Sequence, residues 1–300
     1  MLDHSVWAGL FAKAEEAESL DWGRSHLRFH AADRARALVD RELVEHWLVY
    51  GNLRYPQLNL SYGGDAAPPT SYTRNRRIGQ HQLPGCAHAD DIIAQLDQGA
   101  TLVLSNPEQW DEQIAAFCAQ LGGALAASVQ SYVYLTAPER YGSRPHRDEG
   151  DVFAIQLEGT KTWTLYGAPD SDDWDRGHLP EDTPVTEEIV LRPGDGLYVP
   201  SGTGHRAQSG PEGSLHLTVS VGLPRARDVV SAWTAFAVRE FSRHEHLAPG
   251  SAGREEAVRD ILRRLAEAAA GTDPAALAAA AVPSGVWPET PRPLTWPTSA

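Results

Sequence analysis

Lysine is nearly missing from this 300-residue chain: Lys13 and Lys161 are the only two, and arginine supplies the rest of the 26 basic residues. Cysteine is as scarce. Cys86 and Cys118 form neither a metal-spaced pair nor a disulfide framework, which excludes structural zinc clusters and stapled secreted folds. A reducing cytoplasm is the expected location. Positive charge is outnumbered, 26 Lys and Arg against 40 Asp and Glu, for a net charge of −14. Such a surface does not neutralise phosphates, so no nucleic-acid partner is expected. No apolar run approaches the roughly 20 residues of a bilayer crossing, so no membrane partner is expected either. The opening MLDHSVWAGLFAKAEEAESLDW lacks the basic-then-apolar order of a secretory signal. No internal repeat is visible at solenoid spacing.

A hydrophobic content of 42% leaves enough apolar residues for a sizeable core. Residues 1–50 read as helical, with an amphipathic segment around Arg41 to Val49. Residues 51–85 read as irregular, broken by Pro56, Gly63, Gly64, Pro68 and Pro69. A helix is expected from about His88 to Gln98. Another is expected with Asn106 as N-cap and Pro107 in its first turn, ending at Gly122-Gly123. Thr101 to Ser105 reads as a strand between them.

From about residue 128 the period shortens to two. Strands are expected over 131–136, 152–158, 160–166, 187–192, 197–200 and 214–222, with Gly159 making a tight hairpin between the second and third. Short strands separated by Pro, Gly and Asp turns indicate a sandwich or barrel, and with 101–105 the number approaches the eight of a jelly roll. Helical periodicity returns over 225–246 and 254–270, followed by an Ala- and Pro-rich stretch read as a tail. The expected organisation is a mainly β chain, a double-stranded β-helix core with N-terminal helices and a C-terminal helical region. Its parts are a catalytic domain over 1–222, a helical region over 223–271 and a tail over 272–300.

The chemistry concentrates in RPHRDEGDVFAIQLEGTKTWTLY, residues 144–166. On an extended segment His146 and Asp148 project to the same side. With 12 histidines in the chain a lone His-x-Asp means little, and His88-Ala89-Asp90 repeats the triplet at a helix start, where i and i+2 diverge. Context separates the two. Asp148 leads into strands, then a Pro193-Gly194-Asp195 turn, a short apolar strand and a small-residue turn ending in His205. That order brings a distal histidine back to the pair. Two imidazoles and a carboxylate on one face of an octahedron leave positions open for a bidentate 2-oxo acid and dioxygen. Lys161 lies among Trp163, Leu165 and Ile155 in sequence; a lysine in apolar surroundings needs an anionic partner. The distal carboxylate of 2-oxoglutarate would supply a charge-assisted one.

The segment from about residue 95 to 222 resembles the JmjC-type, cupin-4 family of ribosomal-protein hydroxylases and their bacterial relatives. The resemblance rests on His146-Arg147-Asp148, Asp151-Val152-Phe153, Gln156-Leu157-Glu158-Gly159 and Lys161-Thr162-Trp163, followed by Pro193 to His205 and Ser214 to Thr218. Asn52 to Gln57 resembles the family's N-terminal region less specifically. The resemblance implies iron(II) held by His146, Asp148 and His205, and 2-oxoglutarate as cosubstrate with its tail on Lys161. Tyr134, Ser143 and Ser220 stand at positions of further cosubstrate or substrate contact. Asp151 and His216 match motif positions too; Asp151 is read as a turn or strand cap and His216 as a packed strand residue. The departure from the family is C-terminal, where no room remains after Gly222 for a complete winged helix. The helices of 225–270 are expected to form a homodimer interface.

The expected activity is hydroxylation of an amino-acid side chain in a protein or peptide, or in a small amino-acid derivative. Two alternatives stand beside it: a non-catalytic or 2-oxoglutarate-independent metal-binding cupin, and an N-methyl-lysine demethylase. Lys161 separates the oxygenases from the bare cupin, which has no use for a lysine beside the metal.

Overall fold

The structure is a computed structural model in which residues 7–241, 247 and 251–282 are described. In chain order the elements of the first part are α1 (Ala14–Glu18), β1 (Leu27–His30), α2 (Asp33–Arg36), α3 (Arg41–Tyr50), β2 (Leu58–Tyr62), β3 (Asp65–Ala66), β4 (Thr73–Ile78) and β5 (His81–Ala87). Then come α4 (Ala89–Asp97), β6 (Thr101–Ser105), α5 (Glu112–Leu125), β7 (Ser128–Thr136), β8 (His146–Arg147) and β9 (Asp151–Gly167). The last are β10 (Gly177–His178), β11 (Glu187–Leu191), β12 (Asp195–Val199), β13 (Gly204–Gly222), α6 (Ala226–Ala237), α7 (Ser251–Ala270) and α8 (Pro274–Ala281). The described residues divide into two compact units, one of 7–125 with 129–222 and a second of 126–128 with those from Leu223 onward.

The first unit is a mostly antiparallel jelly roll ordered β1-β12-β9-β13-β7-β6-β2-β3. Its spine is β9, which pairs with β13 along nearly its whole length. The first half of β9 borders β12, with Gly196 opposite Ile155, and the second half borders β11, with Leu191 opposite Lys161. Inside lie Val152, Ala154, Trp163, Leu165, Ile189, Leu191, Leu197, Val199 and Ala207. Residues 151–156 are buried on both faces, because Phe153 also packs outward against Trp7, Trp22 and Tyr198. That second cover explains an unbroken apolar run in an antiparallel strand, where alternation is the norm.

Several expectations are corrected. There is no hairpin at Gly159: β9 runs straight through it as a single 17-residue strand. Gly159 takes φ +63° where β13 bulges between Ser209 and Ser214, and a Cβ there would run into the carbonyl of Gly213. The glycine serves a close backbone approach, a use that in sequence looks the same as a turn. The helix expected at Asn106 starts later, at Glu112. Asn106 is left-handed (φ +64°) before a single turn of 3-10 helix, and Asp111 is the cap, accepting from Gln113 and Ile114 N–H at 3.0 and 3.1 Å. That helix passes through Gly122-Gly123 to Leu125, since Ile114, Phe117, Cys118 and Leu121 keep one face buried. Residues 1–50 contain strand β1 as well as helices, and 51–85 contain four strands. These short segments carry little pattern of their own and owe their conformation to partners, β1 to β12 and β2 to β6. The turn at Pro193-Gly194 stands as expected: Asp195 N–H donates to Arg192 O at 2.8 Å, with Gly194 at φ +93°.

In the helical unit, α6 and α8 enclose an apolar groove lined by Val229, Val230, Trp233 and Leu277. Part of the expected tail is therefore helix; its remainder, 283–300, lies outside the described residues, as do 242–246. Among the described residues no helix is long and apolar enough to cross a membrane.

Candidate metal centre

β8 is two residues long, yet it sits between β13 and β10, with His146 opposite both His205 and His178. That pairing sets two imidazoles side by side, ring centroids 4.4 Å apart and planes inclined at 54°. Asp148 follows at the end of the same extended segment. Its Oδ2 lies 3.6 Å from His146 Nε2 and 3.5 Å from His205 Nε2, so the three donor atoms surround one point. The remaining nitrogens are fixed by main chain: His146 Nδ1 is 2.8 Å from Arg144 O and His205 Nδ1 is 3.0 Å from Thr203 O. A carbonyl only accepts, so each Nδ1 carries a hydrogen and each Nε2 presents its lone pair to the common point. This is how a protein orients histidine for metal. The donor set fits a divalent first-row ion with positions left open.

The loops bearing these groups are tied together. Between the two candidate ligands, Arg147 points the other way and donates Nη1 to the carbonyls of Gly167 and Gly202. Gly202 N–H donates to Asp148 O at 2.9 Å, and Ser201 Oγ to Glu149 O at 2.7 Å. Below them Asp151 accepts from the Tyr198 hydroxyl at 2.6 Å and from Ser201 N–H at 3.3 Å. Asp151 thus fastens the turn that precedes His205.

A narrow cavity of about 70 Å³ runs from the three ligand candidates into the barrel, lined also by Tyr134, Ser143, Trp163, Lys161, His216 and Thr218. Only a small molecule fits it. Lys161 lies within it, 1% exposed, its Nζ 3.2 Å from Thr136 Oγ1 and 3.2 Å from His216 Nδ1. The ammonium also stands 5.8 Å above the Tyr134 ring. Among the described residues no carboxylate pairs with it, and burial pulls its pKa down to about 7. A buried ammonium without a counter-charge fits a ligand that brings one.

The electrostatics of the trio follow from the same geometry. Burial raises the Asp148 carboxyl but is outweighed by the hydrogen bond from His146 and the charges of His205, His146 and Arg176, so it stays below the ordinary carboxylate range. Burial also opposes protonation of His146, yet Asp148 prevails and raises it. His205, fully enclosed and beside His146, falls to about 4. Metal binding would require both imidazoles neutral at Nε2 and Asp148 ionised, so it competes with protonation of His146.

Of the other residues singled out in sequence, Tyr134 lines the cavity, and Ser143 does too, its Oγ 3.3 Å from His146 Nδ1. Ser220 does not: its hydroxyl lies over Gly150, and Thr218, two residues earlier on the same face of β13, lines the cavity in its place. Two residues of strand carry a side chain about 7 Å, enough to leave a pocket this small. His88 sits before α4 with Nδ1 3.0 Å from Asp91, as a helix-start residue does. Sequence reasoning underrated His216, which was read as strand packing and stands beside Lys161. It missed Thr136, Trp163 and Thr218. Thr218 had a signal in period two, since it shares a strand face with His216.

Fold and site together give a cupin-type barrel with a candidate mononuclear metal centre beside a cavity floored by an unpaired lysine. Residues 104–229 match the sequence model of the JmjC domain. Ribosomal oxygenase 2 of Mus musculus is 37% identical over 164 residues, 53% of this chain and 35% of that protein. The bifunctional lysine-specific demethylase and histidyl-hydroxylase NO66 of Drosophila grimshawi is 31% identical over 192 residues, 61% of this chain and 25% of that one. The chain thus spans between a quarter and about a third of the length of these relatives. Among solved structures, Escherichia coli YcfD superposes with a TM-score of 0.55 at 15% identity, covering 89% of this chain and 70% of that one. A structure of the same ribosomal oxygenase with cobalt and 2-oxoglutarate gives 0.53 at 16%, covering 85% and 67%. At these identities the likeness is one of fold.

Proposed function

We propose that the chain is an iron(II)- and 2-oxoglutarate-dependent oxygenase that hydroxylates an amino-acid side chain of a protein or peptide. The observation that carries this reading is one cavity with the His146, Asp148 and His205 donors at one end and the unpaired Lys161 ammonium further in. A 2-oxo acid with a second carboxylate fits both ends at once. The names of the relatives, ribosomal oxygenase and histidyl-hydroxylase, support the same class of activity and favour a protein substrate.

In this reading His146, Asp148 and His205 hold the iron, and the carbonyls of Arg144 and Thr203 keep both imidazoles in the ligating tautomer. Lys161 binds the distal carboxylate, and the depth of the cavity keeps bulk water from that pair. Tyr134, whose hydroxyl burial and the Asp148 charge hold protonated, lines the path between, as does Ser143. Iron(II) with bound 2-oxoglutarate supplies dioxygen activation for C–H hydroxylation, with succinate and carbon dioxide as coproducts. Asp148, half-exposed, marks the side from which substrate approaches. The catalytic part corresponds to 1–222, and the helical region from 223 to a dimer contact. A reducing cytoplasm suits both the ferrous ion and the buried free thiols of Cys86 and Cys118.

The test is anaerobic addition of 2-oxoglutarate to iron-loaded protein, then air. A metal-to-ligand charge-transfer band followed by succinate, and one added oxygen in candidate peptides, is the expected result. Iron binding with no spectral response to 2-oxoglutarate and no succinate would leave a bare metal-binding cupin.

A further inference from the structure

Outside the metal centre, a groove of about 430 Å³ lies between α3 and α4 over the end of β7. Leu48 and Val49 of α3, Ile93 and Leu96 of α4, and Leu135 of β7 give it apolar walls. Val49 is 45% exposed and Ile93 50%, so aliphatic surface meets water on both helices. The floor is firmly built. Gly213 stands at φ +77° so close to β7 that a Cβ would come within 2.9 Å of Thr136 O, and Glu139 N–H donates to Gly210 O at 3.1 Å. A preformed apolar hollow of this volume is in the range of small-ligand sites. Three carboxylates stand around it, each from a different element: Glu45 from α3, Asp97 from the end of α4 and Glu212 from the bulge of β13. Among the described residues no cation pairs with any of them, and the groove's arginine, Arg41, is held by Glu158 at 2.9 Å. Asp97 closes α4, whose last carbonyls add to the negative potential there.

We propose that this groove is a binding site for a small amphipathic amine, its apolar body seated on Leu48, Ile93 and Leu135 and its ammonium at the carboxylates of Glu45, Asp97 and Glu212. The attraction comes from apolar burial, because exposed carboxylates are each worth little in water. The carboxylates supply the choice, by repelling an anion of the same shape. Thr136, in the floor, also accepts from Lys161 Nζ at 3.2 Å, so the groove and the metal-centre cavity share a wall. The site stands whether or not the oxygenase reading does.

The experiment follows the groove itself, by methyl NMR of the full chain loaded with zinc(II). The protein is titrated with 4-phenylbutylamine and, separately, with 4-phenylbutanol and 4-phenylbutanoate, which keep the apolar body but carry no charge or the opposite one. The methyl signals of Leu48, Ile93 and Leu135 are expected to shift with the amine at about fivefold lower concentration than with the alcohol, the upper worth of a solvent-exposed ion pair. The acid should need a higher concentration still. Glu45→Gln combined with Glu212→Gln should bring the amine level with the alcohol and leave the alcohol unchanged. Ile93→Ser, at a half-exposed position that folding does not depend on, should weaken all three compounds. Equal affinity for the three in the parent, no shift of these methyls, or an amine preference that survives the double glutamine variant would overturn the proposal. Shifts that follow protein concentration with no compound added would give the groove to a second copy of the chain. Tighter binding of a short helical peptide of leucine and lysine than of the amine would give it to a partner protein. Either result overturns the amine site.

Discussion

The Tyr198 hydroxyl donates to Asp151 Oδ1 across 2.6 Å, and both side chains are buried. The same hydroxyl accepts from Gly23 N–H at 2.7 Å, so one phenol joins the N-terminal segment to the strand that leads into the metal loop. Tyr198→Phe should leave the Gly23 N–H without this acceptor and Asp151 without this donor. The expected loss is about 1–3 kcal/mol of stability, read from denaturant midpoints. Weaker metal binding should accompany it, because Asp151 also holds Ser201 at the turn before His205. A variant of unchanged stability would show that this bridge contributes nothing.

The three candidate ligands should behave as a unit. Alanine at His146, Asp148 or His205 removes one donor from a set converging on one point, so each single variant is expected to lose iron binding and turnover. The barrel should stay folded by circular dichroism, since the core of β9, β12 and β13 does not depend on the site. Near-normal iron affinity in any one variant would rule that residue out.

Lys161→Ala should leave iron affinity alone and raise the half-saturation for 2-oxoglutarate several-hundredfold or more. That figure corresponds to the about 3–5 kcal/mol lost when one partner of a buried ion pair is removed. Lys161→Arg should recover part of it if the cavity accommodates a guanidinium. The charge-transfer band gives the titration directly, and an unchanged half-saturation would revive the cupin without 2-oxoglutarate chemistry.

The ligand-free protein offers a different check on the same residue. In the unfolded chain the ammonium titrates near 10.5, and in the folded cavity burial brings it to about 7. Between those values the unfolded state binds more protons, so this group makes stability rise with pH from about 7 towards 10.5. Below about 7 the folded state bears the full cost of the unpaired charge. Lys161→Met should therefore be more stable than the parent, by the widest margin at low pH, with the gap closing as the solution becomes alkaline. Parallel stability curves for the two proteins would mean that Lys161 carries no such burden.

On α6, Val230 and Phe236 are exposed, as is Val238 just beyond it. An apolar face of this kind suits a second copy of the chain, and light scattering at micromolar concentration should give the mass of a dimer. Val230→Glu is expected to shift the protein to monomer. A monomeric parent would remove the helical region from consideration as a dimer contact.

Residues 144–166 and 191–205 carried in sequence the spacing of the candidate ligands, the Pro-Gly-Asp turn and the isolated lysine, because these depend on short-range geometry and on which side chain the chemistry requires. The jelly roll was legible for a related reason: period-two patterning and turn residues are local signals. What sequence could not decide was partnership. Whether Gly159 turns the chain or lets it pass close to Gly213 depends on the bulge in β13 far along the chain. The four residues of β1 become a strand only because β12 offers an edge. Ser220 and Thr218 share a face, and which one reaches the cavity is set by where the cavity ends. His216 shows the same limit: its pattern said buried strand, and only the fold placed its ring nitrogen 3.2 Å from Lys161. Local sequence fixes the conformations a segment can adopt, and long-range pairing and burial choose among them, since their free energies arise between residues distant in the chain.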